Sequence, residues 1–251
     1  MNIDLSGKVA VITGGNRGLG EAMAIALSAA GATLALIARD EEKLQGVCAA
    51  LAASGGEAAY FMGDVTDEAQ VTRLAAEVTE RFGAPHILIN NAGTNCRKHL
   101  LELSYEEFKG VVDASVSAAF LVSRAFVPGM VGRDYGRIIN MTSTLSHVSL
   151  PGRTPYSSAK AGLLGFTRAL ALELAGENVT VNGISPGPFG TDLNRAVMDD
   201  PEANAHFLAN LPVGRWGQVE EIGGLACYLC SDLAGFITGT DIVIDGGWTT
   251  K

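Results

Sequence analysis

Along the chain, short runs of β-branched and other apolar residues alternate with longer segments whose apolar positions recur every three or four residues. The runs KVAVITG, ATLALIAR, AAYFMGDV, HILINNAG, RIINMTS, NVTVNGIS and DIVIDGG read as seven strands. Segments such as DEAQVTRLAAEVTERFG and SAKAGLLGFTRALALELAG have helical periodicity and are long enough for the crossovers that parallel strands require. Right-handed crossovers then predict an α/β fold: a doubly wound sheet of seven mainly parallel strands with helices on both faces. No Pro/Ser-rich linker, internal repeat or low-complexity tail interrupts the pattern, so residues 1–251 are expected to form a single domain.

In such a sheet ligands sit beyond the carboxyl ends of the strands, and the unusual residues gather there. TGGNRG follows the first predicted strand, GDV the third, NNAG the fourth, Ser143 the fifth and SPGPFGT the sixth. In TGGNRGLG, the glycines Gly14, Gly18 and Gly20 let a backbone turn sharply and approach a ligand closely, between a strand and a helix expected over Leu19 to Ala30. A phosphate loop of the triphosphate-hydrolysing type needs Lys and Ser or Thr after the last glycine, but Glu21 and Ala22 stand there. The remaining reading is a Rossmann-type dinucleotide site, with a pyrophosphate at the helix N-terminus.

Composition narrows the partners. The chain is 47% hydrophobic with a net charge of −9, which disfavours nucleic acid or an anionic membrane surface and leaves a small molecule as the expected partner. MNIDLSGK offers no apolar run of signal-peptide length, so a cytoplasmic location is expected. Cys48, Cys96, Cys227 and Cys230 form no disulfide framework and read as reduced thiols. The CxxC of GGLACYLCSDL lies in a buried-helix pattern and reads as packing. The four histidines share no metal-ligand spacing, and no metal site is expected.

YSSAK, Tyr156 to Lys160, supplies the chemistry. Tyr and Lys four residues apart share one helix face, and a nearby ammonium favours a phenolate, bringing a Tyr with an ordinary pKa of about 10 toward a usable general acid/base. Ser143, at a strand end, is placed to donate to a carbonyl oxygen as charge develops on it.

Together these motifs resemble the short-chain dehydrogenase/reductases over essentially the whole chain. TGGNRGLG is similar to that family's cofactor loop, NNAG at 90–93 to its sheet-stabilising motif, and Ser143, Tyr156 and Lys160 to its catalytic set. PGPFGT and DGGW resemble the segment that closes over the nicotinamide and the end of the last strand. The resemblance implies that Tyr156 exchanges a proton with the substrate oxygen while hydride passes between nicotinamide and carbon. Ser143 would polarise that oxygen, and Lys160 would lower the Tyr156 pKa and hold the nicotinamide ribose. The cofactor would lie on Gly14, Asn16, Arg17, Gly18, Leu19 and Gly20. Asp64 and Val65 would flank the adenine, Asn91, Ala92 and Gly93 would form the floor, and Pro186, Gly187, Phe189 and Thr191 would lie above. Many relatives carry Asn in the helix after NNAG, where it bends the helix and helps seat a water on the proton path. Here Ser115 stands at that place, five residues before Phe120, and the expectation is that it keeps the relay working or is an ordinary helix residue.

NAD-preferring relatives place an acid at the tip of the second strand. Ala38 stands there, followed by Arg39, so Arg39 and Arg17 are expected to hold a 2′-phosphate and NADP(H) to be preferred over NAD(H). The alternative is that Asp40 takes the ribose, though it also reads as a helix N-cap. Apolar, small-residue faces in ASVSAAFLVSRAF and AGLLGFTRALALEL suit a homotetramer or homodimer. A substrate lid is expected at about 188–215. NNAGTNCRKHLLELS resembles gluconate 5-dehydrogenases and related sugar-acid enzymes, which implies a sugar acid as substrate, with Arg97 or Lys98 on its carboxylate and His147 on a hydroxyl. A 3-oxoacyl-carrier-protein reductase has the same motif set and is the main alternative. A catalytically idle binding or scaffold protein is the alternative from another class.

Overall fold

The computed structural model describes residues 3–191 and 194–250. Its sheet has seven strands: β1 (Val9–Thr13), β2 (Thr33–Ala38), β3 (Ala58–Met62), β4 (Ile87–Asn90), β5 (Gly136–Met141), β6 (Val179–Pro186) and β7 (Asp241–Ile244). Their order is β3-β2-β1-β4-β5-β6-β7, and every pairing is parallel. The chain is one α/β domain of the doubly wound type, and the strand order reverses between β1 and β4.

The helices are α1 (Gly18–Ala29), α2 (Glu41–Ala53), α3 (Glu68–Phe82), α4 (Tyr105–Val112), α5 (Ala118–Phe126), α6 (Thr154–Leu174), α7 (Arg195–Met198), α8 (Pro201–Leu208) and α9 (Val219–Cys230). Both faces of the sheet are covered, which is why the strands read as near-continuous apolar runs. On β1, Ala10 and Ile12 face a core built from Met23, Leu27, Leu44 and Ile222, while Val11 faces the opposite core with Leu74, Val78, Val122 and Phe126. All four cysteines are free, and Cys227 and Cys230 are buried in α9.

Local signals set the element ends. Asp40 caps α2 by accepting from the Lys43 amide, Asp67 caps α3 through Gln70, and Ser104 with Glu107 forms a capping box on α4. The first strand stops at Thr13 because Gly14 turns into the left-handed region at φ 66°. Between α4 and α5 the helix widens into a π-turn over Asp113–Ser117. The continuous helical stretch Tyr105–Gly129 is long and apolar enough to cross a membrane by length and composition alone, but Ala118, Ala119, Val122 and Phe126 bury its inner face against the sheet.

The segment expected as a lid folds into α7 and α8, while its Asp192 and Leu193 lie outside the described residues. Phe207 stacks on Trp216 at 4.4 Å, and Trp216 Nε1 donates to Asn204 Oδ1 at 2.7 Å, which fastens α8 to the chain that follows.

Two glycines give opposite expectations. A Cβ on Gly20 would sit 2.2 Å from the Gly14 carbonyl oxygen, whereas Gly46, on the exposed face of α2, has nothing within 4 Å. Gly20→Ala should destabilise the protein by about 1–3 kcal/mol, and Gly46→Ala should stabilise it by about 0.5–1 kcal/mol, read as denaturant midpoints.

Candidate active site

The site begins at the carboxyl ends of β1 and β4, where the crossovers diverge and a crevice opens. The Asn91 side-chain amide donates to the carbonyls of Thr13 and Gly14, both at 3.0 Å, and Thr13 Oγ1 accepts from the amides of Asn91 and Ala92. This clamp fixes the glycine loop against the NNAG segment.

The loop geometry fits a dinucleotide. Gly18 has φ +57°, and a Cβ there would meet only Thr191 Cγ2, at 4.0 Å, so the backbone faces open space beneath the 186–191 segment. Arg17 precedes α1 with extended backbone and makes no side-chain cap, which leaves the first-turn amides to a ligand. Leu19 packs against the core, Asn16 is half-buried and Arg17 is exposed. Above the loop, Gly187 is pressed against Asp245, Phe189 is buried against Gly217, and Pro186 accepts from Thr144 Oγ1.

At the adenine end, Arg39 Nη1 reaches Asp64 Oδ2 at 3.4 Å with its own side chain 79% exposed. Burial works against the Asp64 carboxylate, but hydrogen bonds from Thr66, and then Arg39, outweigh it and hold Asp64 below the usual range. Val65 is buried beside it. Asp40 is occupied as the α2 cap and also pairs with Lys43 at 3.1 Å.

The reactive end is carried by β5 and α6. Ser143 Oγ accepts from the Leu145 amide at 3.1 Å, and the Ser143 carbonyl accepts from Ser185 Oγ at 2.8 Å. With a lone pair already engaged, the hydroxyl hydrogen is free to donate. Burial pushes the Tyr156 phenol up, and it is pulled down by hydrogen bonding with the Ser143 side chain and by the Arg153 charge. Lys160 Nζ lies 5.7 Å from the Tyr156 ring centre and donates to the Met141 carbonyl at 2.5 Å. Burial pushes the Lys160 ammonium down to about 8. Arg153 is a second cation near the Tyr156 phenol, in addition to Lys160 over its ring, and its charge favours the phenolate against the effect of burial.

A Cβ on Gly93 would lie 3.7 Å from Lys160 Nζ and 3.8 Å from Ser115 Oγ, so both polar groups converge beneath this glycine. Ser115 lies inside the π-turn, buried, and its Oγ has no hydrogen-bond partner. A wide turn of this kind supplies the helix distortion without the Asn that many relatives use there.

Two of the expected substrate residues have partners within the chain. Lys98 pairs with Glu107, whose carboxylate is also held by the α4 capping box. His147 Nε2 is bound to the buried Asp241 carboxylate at 2.5 Å, which ties the ring to β7. Arg97 is exposed, and among the described residues no ion pair is found for it. Arg153 belongs beside it, and only one signal in the sequence points there: a cation three residues before the Tyr. Among the described residues no group of three or more His, Cys, Asp or Glu could hold a metal ion.

A doubly wound sheet, a glycine loop at its switch point and a Ser-Tyr-Lys set with buried Ser143 and Lys160 and half-buried Tyr156 define a nicotinamide-type oxidoreductase fold and site. A family model described as enoyl-(acyl carrier protein) reductase matches residues 14–249. The chain belongs to the short-chain dehydrogenase/reductase family. It is similar to 3-oxoacyl-[acyl-carrier-protein] reductase FabG of Escherichia coli strain K12, at 36% identity over 98% of either chain. Among solved structures it is similar to a putative gluconate dehydrogenase from Agrobacterium tumefaciens, with a TM-score of 0.95 and 35% identity over 99% of this chain and 98% of the other. It is also similar to a gluconate 5-dehydrogenase from Burkholderia cenocepacia J2315 in complex with NADP and tartrate, with a TM-score of 0.94 and 34% identity over 100% and 98% of the two chains.

The depressed Lys160 has a consequence for stability. Below pH 8 the folded protein carries the full penalty of a buried ammonium, and between about 8 and the unfolded value of 10.5 it binds fewer protons than the unfolded chain. Stability conferred by this group therefore rises with pH across that window. Measured against Lys160→Met without cofactor, the wild type should gain on the order of 3 kcal/mol from pH 7.5 to 10.5.

Proposed function

We propose that the protein is an NADP-preferring oxidoreductase that interconverts a ketone and a secondary alcohol, acting on a sugar acid of the gluconate type. The hydrogen bond between Ser143 and Tyr156, with Lys160 Nζ over the Tyr156 ring and close to Gly93, carries the catalytic part. When bound, the nicotinamide supplies or accepts the hydride. The Tyr156 hydroxyl gives its proton to the substrate oxygen in reduction and takes it back in oxidation. Ser143 donates to the same oxygen as negative charge builds there, and Lys160 with Ser115 carries the proton onward from Tyr156.

NADP preference rests on Arg39, largely exposed at the strand tip, and on Arg17, whose charge acts on the neighbouring Asp40, which is itself spent on the helix cap. The sugar-acid reading rests on the exposed Arg97, whose charge acts on Arg153 near Tyr156, and on the likeness to gluconate dehydrogenases, of which the Burkholderia protein is in complex with NADP and tartrate. A second reading, reduction of a 3-oxoacyl thioester, is favoured by the likeness to the Escherichia coli reductase. The net charge of −9 opposes docking of an acidic carrier and weighs for the sugar acid. The exposed Phe120 and Leu172, on the outer faces of α5 and α6, favour assembly as a homotetramer or homodimer, and light scattering at micromolar concentration should return a mass above one chain.

Tyr156→Phe should lower kcat by about 10² to 10⁴ with binding of the cofactor retained, and a loss under tenfold would remove Tyr156 from the acid/base role. Arg39→Ala should lower kcat/KM for NADP about tenfold or more and leave that for NAD nearly unchanged. Assayed side by side, gluconate-type acids should turn over and an acetoacetyl thioester should not. The reverse result would install the thioester reading.

A further inference from the structure

Arg153 is the N-cap residue of α6, yet its side chain makes no capping hydrogen bond. Its Nη1 is buried without any hydrogen-bond partner, and among the described residues no carboxylate pairs with it. A buried guanidinium nitrogen left this way costs free energy unless something else satisfies it. Three residues before Tyr156 and seven before Lys160, Arg153 opens one face of α6 on which those two side chains follow.

A second cation stands opposite. The preceding Gly152 lies against the backbone of Lys98, with its Cβ position 3.7 Å from the Lys98 carbonyl, so the 97–98 segment packs onto the start of α6. Burial, and then repulsion from Arg97, hold the Arg153 guanidinium below its ordinary value, while Tyr156 acts in the other direction. Two guanidinium groups brought together without a carboxylate between them, beside a catalytic phenol, match an anion that arrives with the substrate. On the same loop, Asn95 Oδ1 is also buried without a partner and offers an acceptor to a hydroxyl.

We infer that Arg153, with Arg97 as its outer arm, forms the carboxylate subsite of a hydroxy-acid substrate, the buried Nη1 fixing the acid and Asn95 accepting from a neighbouring hydroxyl. The inference deepens the sugar-acid reading and rests on it. Arg153 is then the residue that turns a general ketone site into one selective for acids. Its planar fork sets the distance between the carboxylate and the carbon facing Tyr156.

The test is calorimetric titration of tartrate into the NADP-loaded wild type, Arg153→Gln, Arg153→Lys and Arg97→Gln, with parallel kinetics on gluconate and a neutral polyol. Arg153→Gln should weaken tartrate tenfold or more and reduce the gluconate-to-polyol ratio of kcat/KM by a similar factor. Arg153→Lys, which keeps the charge but loses the fork, should fall between the two. It also serves as the comparison if Arg153→Gln does not fold. Arg97→Gln should have the smaller effect. Tartrate affinity within twofold of wild type in both Arg153 variants would overturn the inference. So would an equal loss on acid and polyol, which is what a purely structural or Tyr156-tuning role gives, and so would wild type that binds no tartrate. If tartrate binding depends on Arg153 while gluconate is not turned over, the subsite stands and the gluconate reading fails. If gluconate turns over unchanged in Arg153→Gln, the reading stands and the subsite fails.

Discussion

The clamp between Asn91 and the end of β1 is the constraint on which the rest of this site depends. At the switch point two parallel strands send their crossovers to opposite faces of the sheet, and the chain ends there have no ladder partners. One amide side chain and one hydroxyl satisfy that junction, with Asn91 donating to two carbonyls and Thr13 accepting from two amides. The same bonds hold Gly14 against Ala92 and place Gly93 over Lys160 and Ser115. A cofactor floor and a proton path are thereby positioned by one polar knot.

A second layer of buried polar groups carries this order to α6. Asn90 donates to Asn140 at 2.8 Å, and Asn140 donates to Thr167 at 2.9 Å, so β4, β5 and the helix bearing Tyr156 share one chain of bonds. Around Ser143 the backbone is held by Ser185 and the turn at Leu145, and Asp241 gathers Ser185 from β6, Thr142 from just past β5 and His147 from the turn that follows. Such networks define one arrangement because any departure leaves several groups unpaired at once. A rigid Ser143 and a buried Lys160 are two results of the same network.

Much of this was legible in the residues themselves. Each of the seven apolar runs became a strand, and the helix expected over Leu19 to Ala30 runs Gly18–Ala29, because periodicity and glycine chemistry act over a few residues. Tyr156 and Lys160 meet for the same reason. What escaped depends on partners distant in sequence or on the fold as a whole. Lys98 finds Glu107 only when α4 is capped, and His147 finds Asp241, ninety-four residues away, only when β7 joins the sheet. Arg153 sits outside any motif, and the burial of its Nη1, next to the glycine that meets the Lys98 backbone, arises only in the folded chain. The π-turn leaves no mark in composition, since Asp-Ala-Ser-Val-Ser fits an ordinary helix.

That π-turn also divides one long helix into two pieces that are out of phase. A residue inserted into an α-helix rotates everything beyond it by about 100°. α4 turns its Val111 side toward α6, and α5 turns Ala118, Ala119, Val122 and Phe126 toward α3 and β4. A helix of uniform pitch would carry that second stripe a quarter-turn or more away from the sheet. The π-turn takes up one extra residue between Val112 and Ala118, so the phase of α5 is kept while the turn itself is widened. Losing one residue there would let the segment close into a regular α-helix with α5 still facing the sheet, at the cost of the widened turn that holds Ser115 inward, whereas most single substitutions would leave that turn in place.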